Sequence, residues 1–203
     1  MSLVAEKIVV KELGVVEYPS ALGAMRDFTA RRTELTGDEL WLLEHPPVYT
    51  LGLGADECAV PNGIPVLRSD RGGEITYHGP GQIVLYTLVD LARRGIKVKR
   101  YVRLLEQAVI DLLGGLGERK EGAPGVYVEG AKIAALGIRV SRGRAYHGLA
   151  LNVDMDLAPF SAIDPCGYPG LAVTQTRDLG FSQSPSQMGN QLIKTFIANL
   201  EHA

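Results

Sequence analysis

Residues 126–153 read VYVEGAKIAALGIRVSRGRAYHGLALNV, and this stretch decides the fold class. Two runs of β-branched and other apolar residues, 126–128 and 132–140, flank Glu129-Gly130, a pair that is typical of a hairpin turn. The run from Ala145 to Val153 predicts a further strand. The middle of the chain is therefore predicted to be sheet.

The segments before this sheet are predicted to be strands and one helix. The run KIVVKELGVVEY, residues 7–18, is rich in β-branched residues and predicts a strand. The next segment begins at Pro19-Ser20 and carries apolar residues near helical spacing, namely Leu22, Met25, Phe28 and Leu35. Two short strands, 40–43 and 48–51, flank His45-Pro46-Pro47, because the prolines break any helix between them.

Two further helices are predicted from apolar periodicity. From Tyr101 an apolar residue recurs every three or four positions until Gly114-Gly115, where glycine suits a helix C-terminus. Residues 186–200 carry a second apolar stripe, introduced by Ser184-Pro185. No long linker and no fixed-period repeat divides the chain. We therefore predict a single α+β domain over residues 1–203, with a mixed, mostly antiparallel sheet packed by helices.

Composition excludes several classes of function. Lys and Arg total 21 and Asp and Glu total 23, a formal net charge of −2, so bulk charge predicts neither a nucleic-acid nor a membrane partner. No uninterrupted apolar run approaches the roughly 18 residues that a membrane helix needs. Charges at Glu6 and Lys7 argue against a signal peptide. We expect a cytoplasmic protein.

Common nucleotide, hydrolase and metal motifs are absent from the sequence. Gly52-Leu53-Gly54 and Gly79-Pro80-Gly81 both fail the dinucleotide pattern at its third glycine, and no phosphate loop is present. There is no G-x-S-x-G elbow and no H-E-x-x-H pair. The four histidines, at positions 45, 78, 147 and 202, have no spacing that supports a metal site. We predict neither a metal nor a cofactor.

The segment from Arg71 to Gln82 has two interpretations. Its four glycines allow a close approach of the backbone to a ligand, which favours a binding wall. The alternative is a turn-rich hairpin with a surface arginine and a core histidine. The length of the segment and its charged and aromatic content favour the binding wall.

Only two cysteines are present, and their surroundings differ. Cys166 lies among two prolines and two glycines in residues 164–170, a composition typical of an irregular loop that presents a reactive group. Cys58 follows Asp56-Glu57, and these like charges disfavour a thiolate. A nucleophilic thiol needs a nearby cation or base, for which the candidate is Lys132; the alternative for Lys132 is a solvated lysine at a strand end.

Three ordered motifs together closely resemble the octanoyltransferase family, over roughly residues 68–178. They are RGGEITYHGPGQIVLY (71–86), GVYVEGAKIAALGIRVSRGRAYHGLALNV (125–153) and DLAPFSAIDPCGYPG (156–170). The resemblance implies a fold similar to the catalytic domain of lipoate and biotin protein ligases. It also implies transfer of an octanoyl or lipoyl group from acyl carrier protein, through an acyl-cysteine thioester, to a lysine of lipoyl domains.

The resemblance assigns site residues by position. The thioester cysteine falls on Cys166, and the lysine that lowers the pKa of that thiol falls on Lys132. The residues implied to contact the acyl group are Arg71, Gly72, Gly73, Glu74, Ile75, Thr76, Tyr77, His78, Ala135, Leu136, Gly137, Gly148, Leu149 and Ala150. The implied acceptors are the E2 subunits of 2-oxoacid dehydrogenases and the glycine cleavage H protein, and we expect a monomer. The roles of His78 and His147, catalytic or structural, stay open.

Three further hypotheses remain at this stage. An ATP-dependent lipoate ligase of the same fold is one alternative function, and a non-catalytic protein that binds acyl carriers or lipoyl domains is another. Residues 93–103, here called the basic segment, carry six positive charges and no negative charge. The basic segment is either a docking site for an acidic carrier protein or a solvated helix entrance.

Overall fold

The structure is a computed structural model and describes residues 8–58, 60, 62–163 and 171–203. The strands of this part of the chain are β1 (Val9–Val15), β2 (Glu39–Glu44), β3 (Val48–Leu51), β4 (Val66–Arg68), β5 (Ile75–His78), β6 (Gln82–Asp90), β7 (Gly125–Val128), β8 (Ala131–Ser141) and β9 (Arg144–Asn152). The α-helices are α1 (Tyr18–Arg31), α2 (Leu91–Arg94), α3 (Val98–Leu112) and α4 (Pro185–Glu201), with 3-10 turns at Ala158–Ala162 and Thr176–Leu179.

Two sheets form the framework. The main sheet has six strands in the order β1-β2-β6-β9-β8-β7; β1 and β2 are parallel, and the other neighbours are antiparallel. The small sheet has the order β4-β3-β5, with β3 and β4 parallel. The α+β class and the mixed, mostly antiparallel main sheet are confirmed, and the prolines between β2 and β3 lie where the chain passes to the second sheet.

The predicted hairpin and the strand after it are present as β7, β8 and β9. The β7–β8 turn has φ of 49° at Glu129 and 82° at Gly130, and the β8–β9 turn has 50° at Arg142 and 79° at Gly143. Positive φ at both central residues is the geometry of a type I′ turn, whose twist matches that of the strands. The sequence of each turn therefore sets the register of three neighbouring strands.

The core lies on both faces of the main sheet. Every residue of β6 is buried, since helices α3 and α4 cover one face of the sheet and α1 covers the other. Helix α4 begins with a capping box, in which the Ser184 side chain accepts from the Gln187 N–H and the Gln187 side chain accepts from the Ser184 N–H. A Cβ on Gly189 would lie 2.7 Å from a Leu42 methyl group, so the absent side chain lets α4 lie close to the sheet.

One predicted helix boundary is wrong. Leu35 was expected on the apolar stripe of the first helix, but α1 ends at Arg31 and Leu35 is 91% exposed. The chain leaves the helix because the Arg32 guanidinium turns inward, where it donates to the Leu88 carbonyl at 2.9 Å and pairs with Asp38. Separating this buried ion pair would leave an uncompensated charge, so Arg32 stays with Asp38 while Leu35 remains exposed.

Candidate active site

The floor of the site is a stretch of backbone in which glycines allow strands to approach closely. Residues 71–74, which precede β5, lie against the edge of β8, where the Gly72 N–H donates to the Ile138 carbonyl at 3.0 Å. A Cβ on Gly137 would lie 2.8 Å from the Gly72 oxygen, and one on Gly52 would lie 2.0 Å from the Gly73 oxygen. Side chains at these positions would force the segment away from the sheet.

A cavity, here called the central cavity, lies between this segment, helix α1 and the main sheet. Its walls are formed by Tyr18, Arg71, Gly73, Glu74, Ile75, Thr76, His78, Val84, Tyr86, Ala135, Leu136, Gly137, His147, Gly148, Leu149 and Ala150. Twelve of the fourteen residues predicted to contact an acyl group are in this set. Two of the three predicted segments meet because β8 and β9 pair, with Ala135 opposite Ala150 and Gly137 opposite Gly148. The third, residues 71–78, joins them where Gly72 bonds to Ile138.

Two of the predicted contact residues lie elsewhere. Tyr77 points away from the central cavity and packs with Tyr49 and Phe160, at ring centroid distances of 5.4 Å each. Gly72 lines a neighbouring cavity that shares Gly73, Glu74, Leu136 and Gly137 with the central one. Alternation along β5 explains Tyr77, since its neighbours Thr76 and His78 occupy the other face.

Lys132 is buried beside the central cavity. Its side chain lines a small adjoining pocket, here called the lysine pocket, with Thr76, Ala134, Ala135, Asn152, Phe160 and Val173. Lys132 is only 4% exposed, and its ammonium lies 5.4 Å from the centroid of the Tyr127 ring. The alternative of a solvated lysine at a strand end is therefore wrong. Thr76 and Ala135 line both spaces, which therefore lie next to each other.

The other predicted catalytic residue, Cys166, lies outside the described residues. Residues 172–174, which follow it in the chain, are described and pair with β8 at Lys132. The Lys132 N–H donates to the Ala172 carbonyl at 2.8 Å, and the Thr174 N–H donates to the Lys132 carbonyl at 3.0 Å. Cys58 is exposed and lies away from the residues that line either space.

His78 belongs to a buried hydrogen-bond network that reaches the same segment. Its Nδ1–H donates to the Gln82 side-chain oxygen at 2.7 Å, and its Nε2 faces the Thr50 hydroxyl at 3.3 Å. The Gln82 amide donates to Asn152 at 3.0 Å, and the Asn152 amide donates to the Thr174 carbonyl at 2.9 Å. Burial lowers the pKa of His78 to about 3, so the ring is neutral. Through Gln82, His78 is thus linked to Asn152 and to the Thr174 carbonyl.

Three aromatic residues at the site were not predicted from the sequence. His45 is fully buried; it donates from Nδ1 to the Val16 carbonyl and accepts from the Tyr86 hydroxyl at 2.7 Å. Burial lowers the pKa of His45 to about 4. The Tyr18 hydroxyl donates to Ser69 at 2.6 Å. One pattern in the sequence could have identified Tyr86. Along a strand every second residue lies on the same face, so Tyr86 shares a face of β6 with Val84.

Asp70 organises a polar cluster at the far end of the central cavity. It accepts from His147 Nε2 at 2.7 Å, from the Tyr146 hydroxyl at 2.7 Å and from Arg26 Nε at 2.9 Å. Burial by itself would raise the pKa of Asp70, but these three donors outweigh it and hold the pKa well below its usual range. Burial lowers the pKa of His147, so the pair is a carboxylate and a neutral imidazole.

The basic segment divides into two parts. Arg93 and Arg94 bind the buried Asp38 at 2.8 and 2.7 Å, so these two side chains hold the sheet and helices together. Its other four cations, Lys97, Lys99, Arg100 and Arg103, are exposed at the start of α3. Docking therefore remains a hypothesis only for these four.

The described part of the chain offers neither a metal-binding cluster nor a membrane-spanning helix. No cluster of three or more His, Cys, Asp or Glu side chains there is arranged to hold a metal ion. No helix there has both the length and the apolar character required to cross a bilayer.

Known proteins resemble the chain at three levels. The family described as the lipoyl protein ligase A/B catalytic domain matches residues 18–197. The octanoyltransferase of Aromatoleum aromaticum is 59% identical over 191 residues, covering 92% of this chain and 83% of that protein. The octanoyltransferase of Thiobacillus denitrificans is 60% identical over 185 residues, covering 89% and 85%. A crystal structure of lipoate-protein ligase A bound with ATP aligns with a TM-score of 0.76 at 19% identity, covering 96% of this chain and 85% of that chain.

The fold and the cavity, with the match over residues 18–197, define a lipoyl protein ligase A/B catalytic domain. Within that class the chain belongs to the octanoyltransferase family and is an acyltransferase. Its fold is that of the ligases, as predicted. Family membership implies an acyl donor and lipoyl-domain acceptors, and it sets aside the ligase and non-catalytic alternatives.

Proposed function

We propose that the chain, with residues 1–203 as one catalytic domain, transfers an octanoyl or lipoyl group from acyl carrier protein to the target lysine of lipoyl domains. The intermediate is a thioester on Cys166. The observation that carries this proposal is the position of Lys132, which is buried beside an apolar cavity and is hydrogen-bonded to the segment that follows the Cys166 loop.

In the first half-reaction the Lys132 ammonium stabilises the thiolate of Cys166. The thiolate attacks the carbonyl carbon of the donor thioester, so a new C–S bond forms and the old one breaks. The leaving phosphopantetheine thiolate takes the proton from Lys132, which becomes neutral. One thioester replaces another, and no outside source of energy is required.

In the second half-reaction the amine of the acceptor lysine attacks the Cys166 thioester. Neutral Lys132 takes the proton that this amine loses, while the C–S bond breaks and the Cys166 thiolate returns. The product amide is more stable than the thioester, so the transfer runs downhill without ATP. The cycle ends with the thiolate and ammonium with which it began.

Acyl recognition follows from the small residues of the paired strands. Ala135 and Gly137 on β8 lie opposite Ala150 and Gly148 on β9, and all four line the central cavity. This leaves space for an alkyl chain beside the sheet, where burial contributes about 0.8 kcal/mol per CH₂. The chain enters from the lysine pocket, through Thr76 and Ala135.

The partners and location in the proposal follow from the family and from composition. The acceptors are the E2 subunits of 2-oxoacid dehydrogenases and the glycine cleavage H protein, which are modified in the cytoplasm by a monomeric enzyme. The near-neutral net charge of −2 supports association with individual proteins rather than with nucleic acid or membranes.

The proposal is tested by the intact mass of the protein after incubation with octanoyl acyl carrier protein. We expect a gain equal to one octanoyl group, which is absent in Cys166→Ser and retained in the matched control Cys58→Ser. The proposal is falsified if the Cys166→Ser protein still gains the adduct. Activity with free octanoate and ATP, but none with the carrier thioester, would instead indicate a ligase.

A further inference from the structure

A histidine of the central cavity has a ring nitrogen without a hydrogen-bond partner among the described residues. His147 is 1% exposed, and within the described residues its Nδ1 is buried without a donor or an acceptor in reach. The other aromatic polar groups nearby are satisfied, since the hydroxyls of Tyr18 and Tyr86 and both ring nitrogens of His78 have partners. A buried polar atom left unpaired is costly and calls for an explanation.

The proton on the His147 ring is placed by Asp70. Asp70 is a carboxylate and can only accept, so Nε2 carries the ring proton that it donates across 2.7 Å. Nδ1 of the neutral ring then carries a lone pair. This acceptor belongs to a residue of the cavity wall, and its ring is held by a carboxylate that Tyr146 and Arg26 also bind.

The backbone of His147 is strained in a way that brings its ring to the cavity. Its φ is 63°, inside strand β9, whereas the other described non-glycine residues with positive φ, Glu129 and Arg142, lie in hairpin turns. Adjacent strand residues normally point to opposite faces, yet Tyr146 and His147 stack at 5.0 Å and bind the same carboxylate. Such strain persists where the surrounding structure holds it, and it clusters at ligand sites.

The distance from the lysine pocket to His147 matches the length of an octanoyl group. Ala150 pairs with Ala135 at the entrance, and His147 lies three residues further along β9, about 10 Å at the usual rise of a strand. An extended chain of eight carbons, with C–C bonds of about 1.5 Å, spans about 9 Å. The end of such a chain would reach the Nδ1 acceptor.

We propose that His147 Nδ1 is a hydrogen-bonding subsite at the far end of the acyl cavity, which accepts an eight-carbon acyl chain ending in a hydroxyl group and disfavours longer alkyl chains. This proposal rests on the proposed function. A terminal O–H would donate to Nδ1, whereas a ninth carbon would cover Nδ1 and leave it unpaired. Asp70 acts as the positioning residue, because it selects the tautomer.

The test compares two donors with the same number of heavy atoms in the chain. Carrier thioesters of 8-hydroxyoctanoate and nonanoate are assayed for kcat/KM beside octanoate. For the unmodified protein we expect the hydroxylated chain to exceed nonanoate by on the order of tenfold, the discrimination that one buried hydrogen bond provides. His147→Phe has a similar ring but no acceptor. In this variant the ratio of kcat/KM for 8-hydroxyoctanoate to kcat/KM for nonanoate should fall to one or below.

Two further variants keep the result interpretable. His147→Asn retains an oxygen near the Nδ1 position and tolerates positive φ, so it should restore part of the ratio. His202→Phe changes an exposed histidine near the C-terminus and should leave the ratio unchanged. An equal ratio in the unmodified protein and in His147→Phe, or a preference of the unmodified protein for nonanoate, would overturn the subsite.

The same preference is measured without turnover by calorimetric binding of free 8-hydroxyoctanoate and nonanoate. If octanoyl carrier protein itself is not a substrate, the proposed function fails while the ratio of the two dissociation constants still tests His147. If transfer of octanoate is intact and neither ratio depends on His147, the subsite alone fails.

Discussion

At the scale of single residues, the position of Lys132 depends on Gly125, which lies on the neighbouring strand β7. A Cβ on Gly125 would lie 2.5 Å from Lys132 Cε and 3.2 Å from Nζ, and it would also lie 2.9 Å from the Ala134 carbonyl. The φ of Gly125 is 148°, which residues with a side chain rarely adopt. The missing side chain gives the lysine chain its space beside the strand.

Gly125→Ala is therefore expected to displace the Lys132 ammonium. We expect the rate of acyl-adduct formation at neutral pH to fall by at least about tenfold, which corresponds to about 1.4 kcal/mol of transition-state stabilisation. The rate is measured by quenching and intact mass. Gly23→Ala, on the exposed side of α1 with nothing within 4 Å, is the matched control. An unchanged rate in Gly125→Ala would show that the ammonium does not act from this position.

The Gln82 side chain holds three buried polar groups, so we expect its removal to destabilise the fold. Gln82→Leu would leave the His78 Nδ1–H, the Tyr77 carbonyl and the Asn152 oxygen without their present partner. Buried groups left unpaired cost about 1 to 3 kcal/mol each, so for three groups we expect a loss of at least about 3 kcal/mol in the free energy of unfolding. Urea denaturation of Gln82→Leu and of the unmodified protein measures this loss. A loss below about 1 kcal/mol would mean that these groups find other partners.

At the scale of elements, the start of α3 combines exposed cations with an unfavourable helix end. Lys97 provides no side-chain cap, and no acidic residue lies in the first turn. Positive charge at a helix N-terminus opposes the helix dipole. Among the exposed cations, Lys99 and Arg103 are one helical turn apart and flank Val102, which lines the cavity beside the central one.

Charge reversal on this turn tests docking of an acidic carrier protein. Lys99→Glu with Arg103→Glu should raise the KM for octanoyl carrier protein severalfold at low salt and much less at high salt, because steering charges are screened. The KM for a small octanoyl thioester should not change. Lys194→Glu, an exposed reversal on α4, is the control. Equal effects on both donors would reject docking. Arg94 is unsuitable for this test because it binds Asp38.

At the scale of the whole molecule, the buried neutral histidines predict acid sensitivity. Burial lowers the pKa of His45 to about 4 and that of His78 to about 3, whereas an unfolded histidine titrates near 6.5. Below about pH 6.5 the unfolded chain therefore binds protons that the folded chain does not, and stability falls as the pH drops. For His45 the loss reaches about 3 kcal/mol near pH 4.

Urea unfolding at several pH values between 7 and 4 measures this loss. His45→Gln should be less stable at pH 7, since it disturbs the contacts to Val16 and Tyr86, and its stability should depend less on pH. The Asp70 carboxylate, whose pKa is lowered, contributes a further loss only below about pH 4, its ordinary value. Identical slopes in both proteins between pH 6.5 and 4 would contradict the assignment to His45.

Much of the architecture was predictable because its signals are local. Turn residues and alternating apolar runs predicted the β7–β8 hairpin and β9, and apolar periodicity predicted α3 and α4. The end of α1 was missed because Arg32 turns inward to the Leu88 carbonyl, 56 positions away in the chain. No local pattern contains that contact.

The fold class, the family and the segments that form the cavity could be predicted from the sequence, since these depend on turns, on periodicity and on ordered motifs. The folded structure was needed to show that Lys132 is buried, that Tyr77 faces away from the central cavity and that Arg93 and Arg94 are bound to Asp38. It also brought His147 to Asp70, 77 positions apart in the chain. Burial and electrostatic partners depend on strands and helices that are far apart in sequence, and so they exist only once the sheets have formed.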